Sequence, residues 1–275
     1  MTSGPLITDT TIPQGKGTTL VYAPLFLGVG GGKFGPHWNR TSAGNESLSA
    51  EAQMQIFYGA AERTEVYLVV PYRYNLVWNA EGAGPGAETS AHFGGLGDVS
   101  LPVKYLLADE RDTRPAIALL LSTDFPTGHH SHLNPRFLGT DLLGSGSFTF
   151  ILGLNLYKTL HKTKLYGNLW YGISTDATVN GSRLLPRDTA TFNLAVEHPL
   201  AEQWIFLGEL LSTWGGGRLI GRKADQPQQT ILGILPAVEF IASKQWYFAS
   251  GLKIDLFGRN TVYRYTPVIA AFCNF

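Results

Sequence analysis

The chain has 275 residues, of which 44% are hydrophobic and only 15% are charged, and it contains 32 glycines. Soluble domains carry about 25% charged residues, so this composition favours a membrane protein, yet the apolar runs fall far short of the roughly 18 residues of a spanning helix. Lys plus Arg and Asp plus Glu both total 21, which leaves no basic field that would bind nucleic acid. The single cysteine excludes an internal disulfide.

The first segment, 1–16, is polar and rich in Thr, Pro and Gly. It lacks the basic and then apolar pattern of a secretory signal, so we interpret the chain as a mature form. We separate this segment from the remainder, 17–275, which we predict to be a single transmembrane β-barrel. The segment is long enough to fold into the barrel lumen, so a plug is one role that we consider for it.

Apolar and polar residues alternate along the rest of the chain, in segments of about ten residues that are separated by turn residues, and this pattern is typical of membrane β-barrels. In 64–78 every second residue from Val66 to Trp78 lies on an apolar face, while Glu65 and Arg73 lie on the other face. We predict about twelve strands, an even number as in bacterial barrels. They lie at 18–30, 48–60, 64–78, 96–107, 114–125, 146–158, 163–175, 188–199, 203–216, 229–241, 244–257 and 261–275.

The connections between the predicted strands alternate between short turns, such as 61–63, and long loops, such as 126–145. Outer-membrane barrels have short periplasmic turns and long extracellular loops. The last strand ends on Phe275, which resembles the signal read by the outer-membrane assembly machinery, so we expect that machinery as a partner during biogenesis. The prediction is an all-β, antiparallel up-and-down barrel in the bacterial outer membrane, in contact with its lipids.

Most charged residues of the predicted strands fall on the inward-facing positions. We predict that the lumen is lined by Glu51, Gln53, Glu65, Arg73, Asp98, Lys104, Asp124, Asn168, Glu209, Glu239, Lys253, Asp255 and Arg264. Acids outnumber bases in this set, which favours a weak preference for cations. Charges of both signs in a narrow interior also pair across strands, so a salt-bridged scaffold and a solute pathway both fit. Twelve strands lie between the roughly eight that side chains fill and the roughly sixteen of an aqueous channel, which makes a narrow pore feasible.

The sequence offers little support for catalysis or metal binding. His129, His130 and His132 lie together in the longest loop, but neighbouring histidines of one loop form a poor metal site, and we expect them to be solvated. His198 lies next to Glu197, yet no serine in a nucleophile motif accompanies it. We therefore expect no enzyme activity and no cofactor or metal.

Several glycine and turn patterns carry a family resemblance. They are Gly59 to Glu65 running into Pro71-Tyr72, Gly95 to Ser100 with Lys104-Tyr105, Asp124 to Gly128, and Leu143 to Gly146. Together they resemble the meta-pathway phenol-degradation family of outer-membrane barrels, over nearly the whole predicted barrel. The resemblance implies carriage of small, frequently aromatic compounds.

The function that we predict is an outer-membrane channel, of the porin type, for the passive diffusion of small organic solutes with aromatic or amphipathic character. The alternative is a non-conducting structural or surface-interaction barrel whose lumen is plugged and whose long loops bind a partner.

Overall fold

The computed structural model describes residues 4–80, 89–179, 182–220 and 223–275. Within these ranges, twelve long antiparallel strands form a barrel, and the fourth is interrupted for two residues. The strands are β1 (Thr19–Phe34), β2 (Glu46–Ala61), β3 (Thr64–Trp78), β4 (Ala91–Leu96 and Val99–Ala108), β5 (Ala116–Phe125), β6 (Thr149–Leu160), β7 (Thr163–Ser174), β8 (Thr189–Pro199), β9 (Trp204–Gly215), β10 (Gln229–Ile241), β11 (Trp246–Arg259) and β12 (Thr261–Asn274). The predicted fold class and number of strands are confirmed.

The barrel closes between its first and last strands. In β1 and β12, Leu20 is opposite Asn274 and Phe26 is opposite Val268. The backbone N–H of Phe275 donates to the carbonyl of Thr19 at 2.8 Å, and the N–H of Thr19 donates back at 3.3 Å. Because every long strand therefore has a neighbour on both sides, the wall has no open edge on which another chain could add a strand.

The strands alternate between an exposed apolar outer face and a buried inner face. In β6, Leu152, Leu154 and Leu156 are 42–56% exposed, whereas Asn155 between them is fully buried. Half-exposed aromatic residues surround both ends of the barrel, such as Trp204 at the short-turn end. An apolar band between two aromatic girdles is the surface that a bilayer requires.

The long connections contain structure of their own. Two of them, predicted as loops at 176–187 and 217–228, pair with each other in a small four-stranded sheet formed by Ala177–Val179, Ser182–Pro186, Arg218–Ile220 and Lys223–Gln226. They were predicted as loops because the strands are only three to five residues long, too short to show alternation. Within the described ranges, the helical structure is one 3₁₀ turn at Pro135–Phe137, and no helix is long and apolar enough to cross a membrane.

Candidate functional site in the barrel lumen

The N-terminal segment, residues 4–16, passes through the interior of the barrel. Its polar partners lie on six different strands around the wall, so the segment crosses the lumen instead of following one side of it. These partners are Tyr22 of β1, Glu65 and Tyr67 of β3, Lys104 of β4, Asn155 of β6, Asn168 of β7 and Glu209 of β9. Farther along, the backbone N–H of Gly17 donates to the carbonyl of Gly59 at 2.8 Å, at the short-turn end.

Glu209 holds the start of this segment through backbone groups. Its two carboxylate oxygens accept hydrogen bonds from the N–H groups of Leu6 at 2.7 Å and Thr8 at 2.7 Å, and that of Ile7 is shared between them. Hydrogen bonds from amides to a charged carboxylate are stronger than bonds between neutral groups. One buried side chain therefore fixes three consecutive residues.

A buried ion cluster holds the middle of the segment. Lys104 is fully buried, and its ammonium lies 3.0 Å from Asp9 of the segment and 2.9 Å from Glu65 of the wall. Asp9 also accepts from the side-chain amide of Asn155 at 2.8 Å, and Glu65 accepts from the backbone N–H of Gln14 at 2.8 Å. Desolvation of a buried lysine costs several kcal/mol, and the attraction of charged partners offsets that cost, so the stability of this cluster depends on the segment being in place.

The longest extracellular loop, 126–148, enters the lumen from the opposite side. Arg73 donates to the carbonyl of Leu143 at 2.8 Å, and Leu143 is only 1% exposed. The carboxylate of Asp98, at the interruption of β4, accepts from the backbone N–H of Gly128 at 3.0 Å and of Ser145 at 2.7 Å. The wall therefore fixes both ends of this loop against the interior.

The histidines of this loop make local contacts. Nδ1 of His129 donates to the carbonyl of Asp141 at 2.7 Å, and its ring stacks on Phe93. Nδ1 of His130 donates to the carbonyl of Gly128 at 2.7 Å. Among the residues that the structure describes, no group of three His, Cys, Asp or Glu side chains could hold a metal ion.

A polar ladder follows the inner face of β2. The amide of Gln55 donates to Gln53 at 2.6 Å, the amide of Gln53 donates to Glu51, and Glu51 also accepts from Arg73 at 2.6 Å. On β11, three strands away around the wall, Lys253 pairs with Asp255 at 2.6 Å. Much of the charge in the lumen is therefore neutralised within the wall.

A cavity of about 660 Å³ lies between the N-terminal segment and the wall. Its lining combines aromatic rings with polar groups, as sites for organic molecules usually do. The wall residues that line it include Tyr22, Gln55, Phe57, Tyr67, Ser100, Ser122, Asp124, Tyr157, Lys164, Tyr166, Trp170 and Phe272.

The thirteen residues that the sequence places in the lumen fall into distinct groups, and each is buried or half-buried. Glu65, Lys104, Asn168 and Glu209 contact the N-terminal segment, and Glu51, Gln53, Arg73 and Asp98 belong to the ladder and the loop contacts. Asp255 joins Lys253 to the backbone of Arg264 at 2.9 Å, Glu239 is fully buried, and Asp124 lies on the cavity. That they line a solute path stays a prediction.

Sequence reasoning missed the partners that the N-terminal segment brings into the lumen. Asp9 contacts Lys104, Asn155 and Tyr67. Asp9 could have been recognised from the sequence, because it is the single charged residue among the first fifteen. A lone carboxylate in a segment next to a barrel with a buried lysine is a candidate for pairing.

The closed barrel, its apolar outer band and its polar interior define a β-barrel of the bacterial outer membrane. The chain belongs to the family described as "Putative MetA-pathway of phenol degradation", whose model matches residues 39–266, and this confirms the resemblance seen in the sequence. No curated protein sequence matches the chain.

Solved structures of outer-membrane barrels share the fold. An outer membrane channel from Pseudomonas putida F1 is 15% identical, with a TM-score of 0.76 over 96% of this chain and 98% of that chain. The β domain of a Bordetella autotransporter is 10% identical, with a TM-score of 0.55 over 94% of this chain and 100% of its own. The translocator domain of the autotransporter NalP from Neisseria meningitidis is 10% identical, with a TM-score of 0.52 over 95% and 90%.

Proposed function

We propose that this barrel is a channel for the passive diffusion of small organic solutes across the outer membrane. The observation that carries the proposal is the interior cavity of about 660 Å³, whose lining is both aromatic and polar. A barrel that served only as a scaffold would fill that volume with side chains. The similarity to an outer membrane channel supports the same function.

The N-terminal segment, which we assign to 1–16 with the barrel at 17–275, acts in this proposal as a plug that narrows the periplasmic half of the lumen. Its contacts with Glu65, Lys104 and Glu209 support this role, because they fix it across the interior. The same contacts favour the second candidate function, a non-conducting barrel whose plugged lumen carries nothing. The two candidates differ in whether the segment leaves a continuous path.

Liposome swelling separates these candidates. Protein refolded into liposomes is expected to increase the rate of swelling in arabinose above that of empty liposomes, because a narrow pore passes a monosaccharide. The tetrasaccharide stachyose serves as the size control and should give no increase. If neither swelling nor single-channel conductance exceeds that of empty membranes, the barrel is non-conducting and the second candidate holds.

The terminal residue Phe275 is proposed to be recognised by the assembly machinery of the outer membrane. Its side chain is 73% exposed, and its backbone alone bonds Thr19, so the ring is free for another protein. We expect Phe275→Ser to lower the amount of barrel assembled in outer membranes several-fold while refolding into detergent is unchanged. Phe257→Ser, at a 56% exposed phenylalanine near the opposite end, is the control, and equal losses for both variants would contradict recognition of Phe275.

A further inference from the structure

We propose that the interior cavity selects solutes that carry a positive charge or a hydrogen-bond donor next to an aromatic ring, that it rejects the corresponding carboxylates, and that Asp124 makes this selection. The inference deepens the proposed channel function and rests on it, because a site in the lumen filters solutes only where solutes pass. The cavity's own side chains supply the reason. Several donor side chains of the lining are already hydrogen-bonded to other protein groups, whereas the carboxylate of Asp124 has acceptor positions left for a solute.

Six donor side chains around the cavity bind other protein groups. Trp170 donates its indole N–H to Asn155 at 2.8 Å, and the hydroxyl of Tyr22 donates to the carbonyl of Leu6 at 2.7 Å. The same holds for Tyr67 with Asp9 at 3.3 Å, Tyr166 with Glu197 at 2.8 Å, Lys164 with Glu197 at 2.8 Å, and Gln55 with Gln53 at 2.6 Å. A carboxylate solute would have to break one of these bonds to use any of these donors, which removes the gain. The hydroxyl of Ser122, which also lines the cavity, is neutral and cannot offset the repulsion between such a solute and Asp124.

Asp124 is the exception among the charged groups of the lining. It lies directly opposite Ser100 across the pairing of β4 with β5, and among the described residues none of the ion pairs involves it. An ionised carboxylate offers about four acceptor positions, and Ser100 has a single hydroxyl to donate, so most of these positions stay available to a solute. Its charged neighbours are Asp98 and Arg73, and Arg73 already pairs with Glu51 at 2.6 Å. The cavity therefore retains a negative charge that the wall does not neutralise.

Aromatic rings supply the rest of the site. Phe57 and Tyr67 are stacked with their centroids 4.5 Å apart, and Tyr22 and Phe272 with theirs 4.2 Å apart. The Lys104 ammonium lies 5.6 Å from the centroid of Tyr67, which shows that this ring already attracts a cation. A carboxylate acceptor and π-faces in the lining of one cavity suit a single ring with an attached ammonium or hydroxyl group.

Three solutes with the same ring and carbon count test the proposal: benzylammonium, benzyl alcohol and benzoate. Their binding to the full chain refolded in detergent is measured by titration calorimetry, with empty micelles as the blank. We expect affinity to fall from benzylammonium to benzyl alcohol to benzoate. Benzoate that binds as tightly as benzylammonium would overturn the proposal.

Variants at Asp124 separate its charge from the shape of the cavity. Asp124→Asn is expected to weaken benzylammonium binding about tenfold or more, because a charge-assisted hydrogen bond is lost, and to leave benzoate binding equal or tighter. Asp124→Glu keeps the charge and should keep the order of affinities. Asp109→Asn is the matched control, because Asp109 pairs with exposed Arg63 in a periplasmic turn, away from the cavity. An unchanged affinity for benzylammonium in Asp124→Asn would overturn the assignment.

Conductance of the same preparation distinguishes failure of the site from failure of the channel. A protein that conducts but binds the three solutes equally retains the proposed function and loses this inference. A protein that binds benzylammonium through Asp124 but conducts no ions retains the site, and the selection then applies to binding and not to passage.

Discussion

Deletion of residues 1–13 will raise the single-channel conductance of the refolded barrel several-fold. The deleted stretch contains the amides that Glu209 binds and the Asp9 carboxylate that faces Lys104, so the lumen loses the segment that crosses it. The polar wall groups that lose their partners become hydrated when the lumen opens. The deletion therefore does not destabilise the barrel by leaving buried polar groups without hydrogen bonds. Recordings in planar bilayers measure the change.

The control for this deletion is a shorter one. Removal of residues 1–3 leaves the bonds from Leu6 to Thr8 with Glu209 in place, so it should conduct like the full chain. Migration on unheated gels confirms that both deletions fold. If the two deletions conduct equally, the N-terminal segment does not limit the pore and its role as a plug is wrong.

Replacement of Lys104 by Met will reduce the free energy of unfolding by about 3 to 5 kcal/mol, the cost of breaking a buried ion pair from one side. Lys104 is fully buried between Asp9 and Glu65, so its loss leaves two buried carboxylates without their cation. The side chain of Glu65 is 1% exposed and that of Asp9 is 11% exposed, so both carboxylates are largely shielded from water while the segment stays docked. Urea unfolding of protein in lipid vesicles, followed by tryptophan fluorescence, measures the difference.

Lys158→Met provides the comparison, because Lys158 also pairs with a glutamate, Glu110, at 3.1 Å but at a partly exposed turn. Pairs of that kind contribute about 0 to 1 kcal/mol, so this variant should unfold nearly as the parent does. In the background of the 1–13 deletion, the cost of Lys104→Met should fall, because Asp9 is then absent. Equal effects of the two lysine variants would show that the Lys104 cluster is not buried as described.

The barrel itself was predictable, because lipid on one side and a polar interior on the other impose a period of two on each strand. That period placed Asn168 and Glu209 on the inner face, where both are buried. Its limits appear where the backbone departs from regular pairing. The interruption of β4 at Gly97 and Asp98 is an example, because Asp98 there binds backbone N–H groups of a loop 30 and 47 residues away.

The route of the N-terminal segment could not be predicted, for a related reason. Glu209 binds it through the backbone N–H groups of Leu6, Ile7 and Thr8, which nearly any residue offers, so the contact leaves no pattern in the side chains. The exception is Asp9, whose partner Lys104 lies 95 residues away along the chain. A sequence shows that both charges exist but not that folding brings them together.

The closure of β1 on β12 also determines the order of events during folding. The N-terminal segment is joined directly to β1, so it is placed next to the first strand of the wall as that strand is incorporated. It does not have to enter a barrel that has already closed. Its hydrogen bonds to Glu209 join residues that are 201 to 203 positions apart in the sequence, so they form only after most strands of the wall have assembled. Contacts this distant along a chain are slow to form and arise late. Sealing of the wall and seating of the segment should therefore occur as one late cooperative step, so that the barrel is completed with its segment already inside.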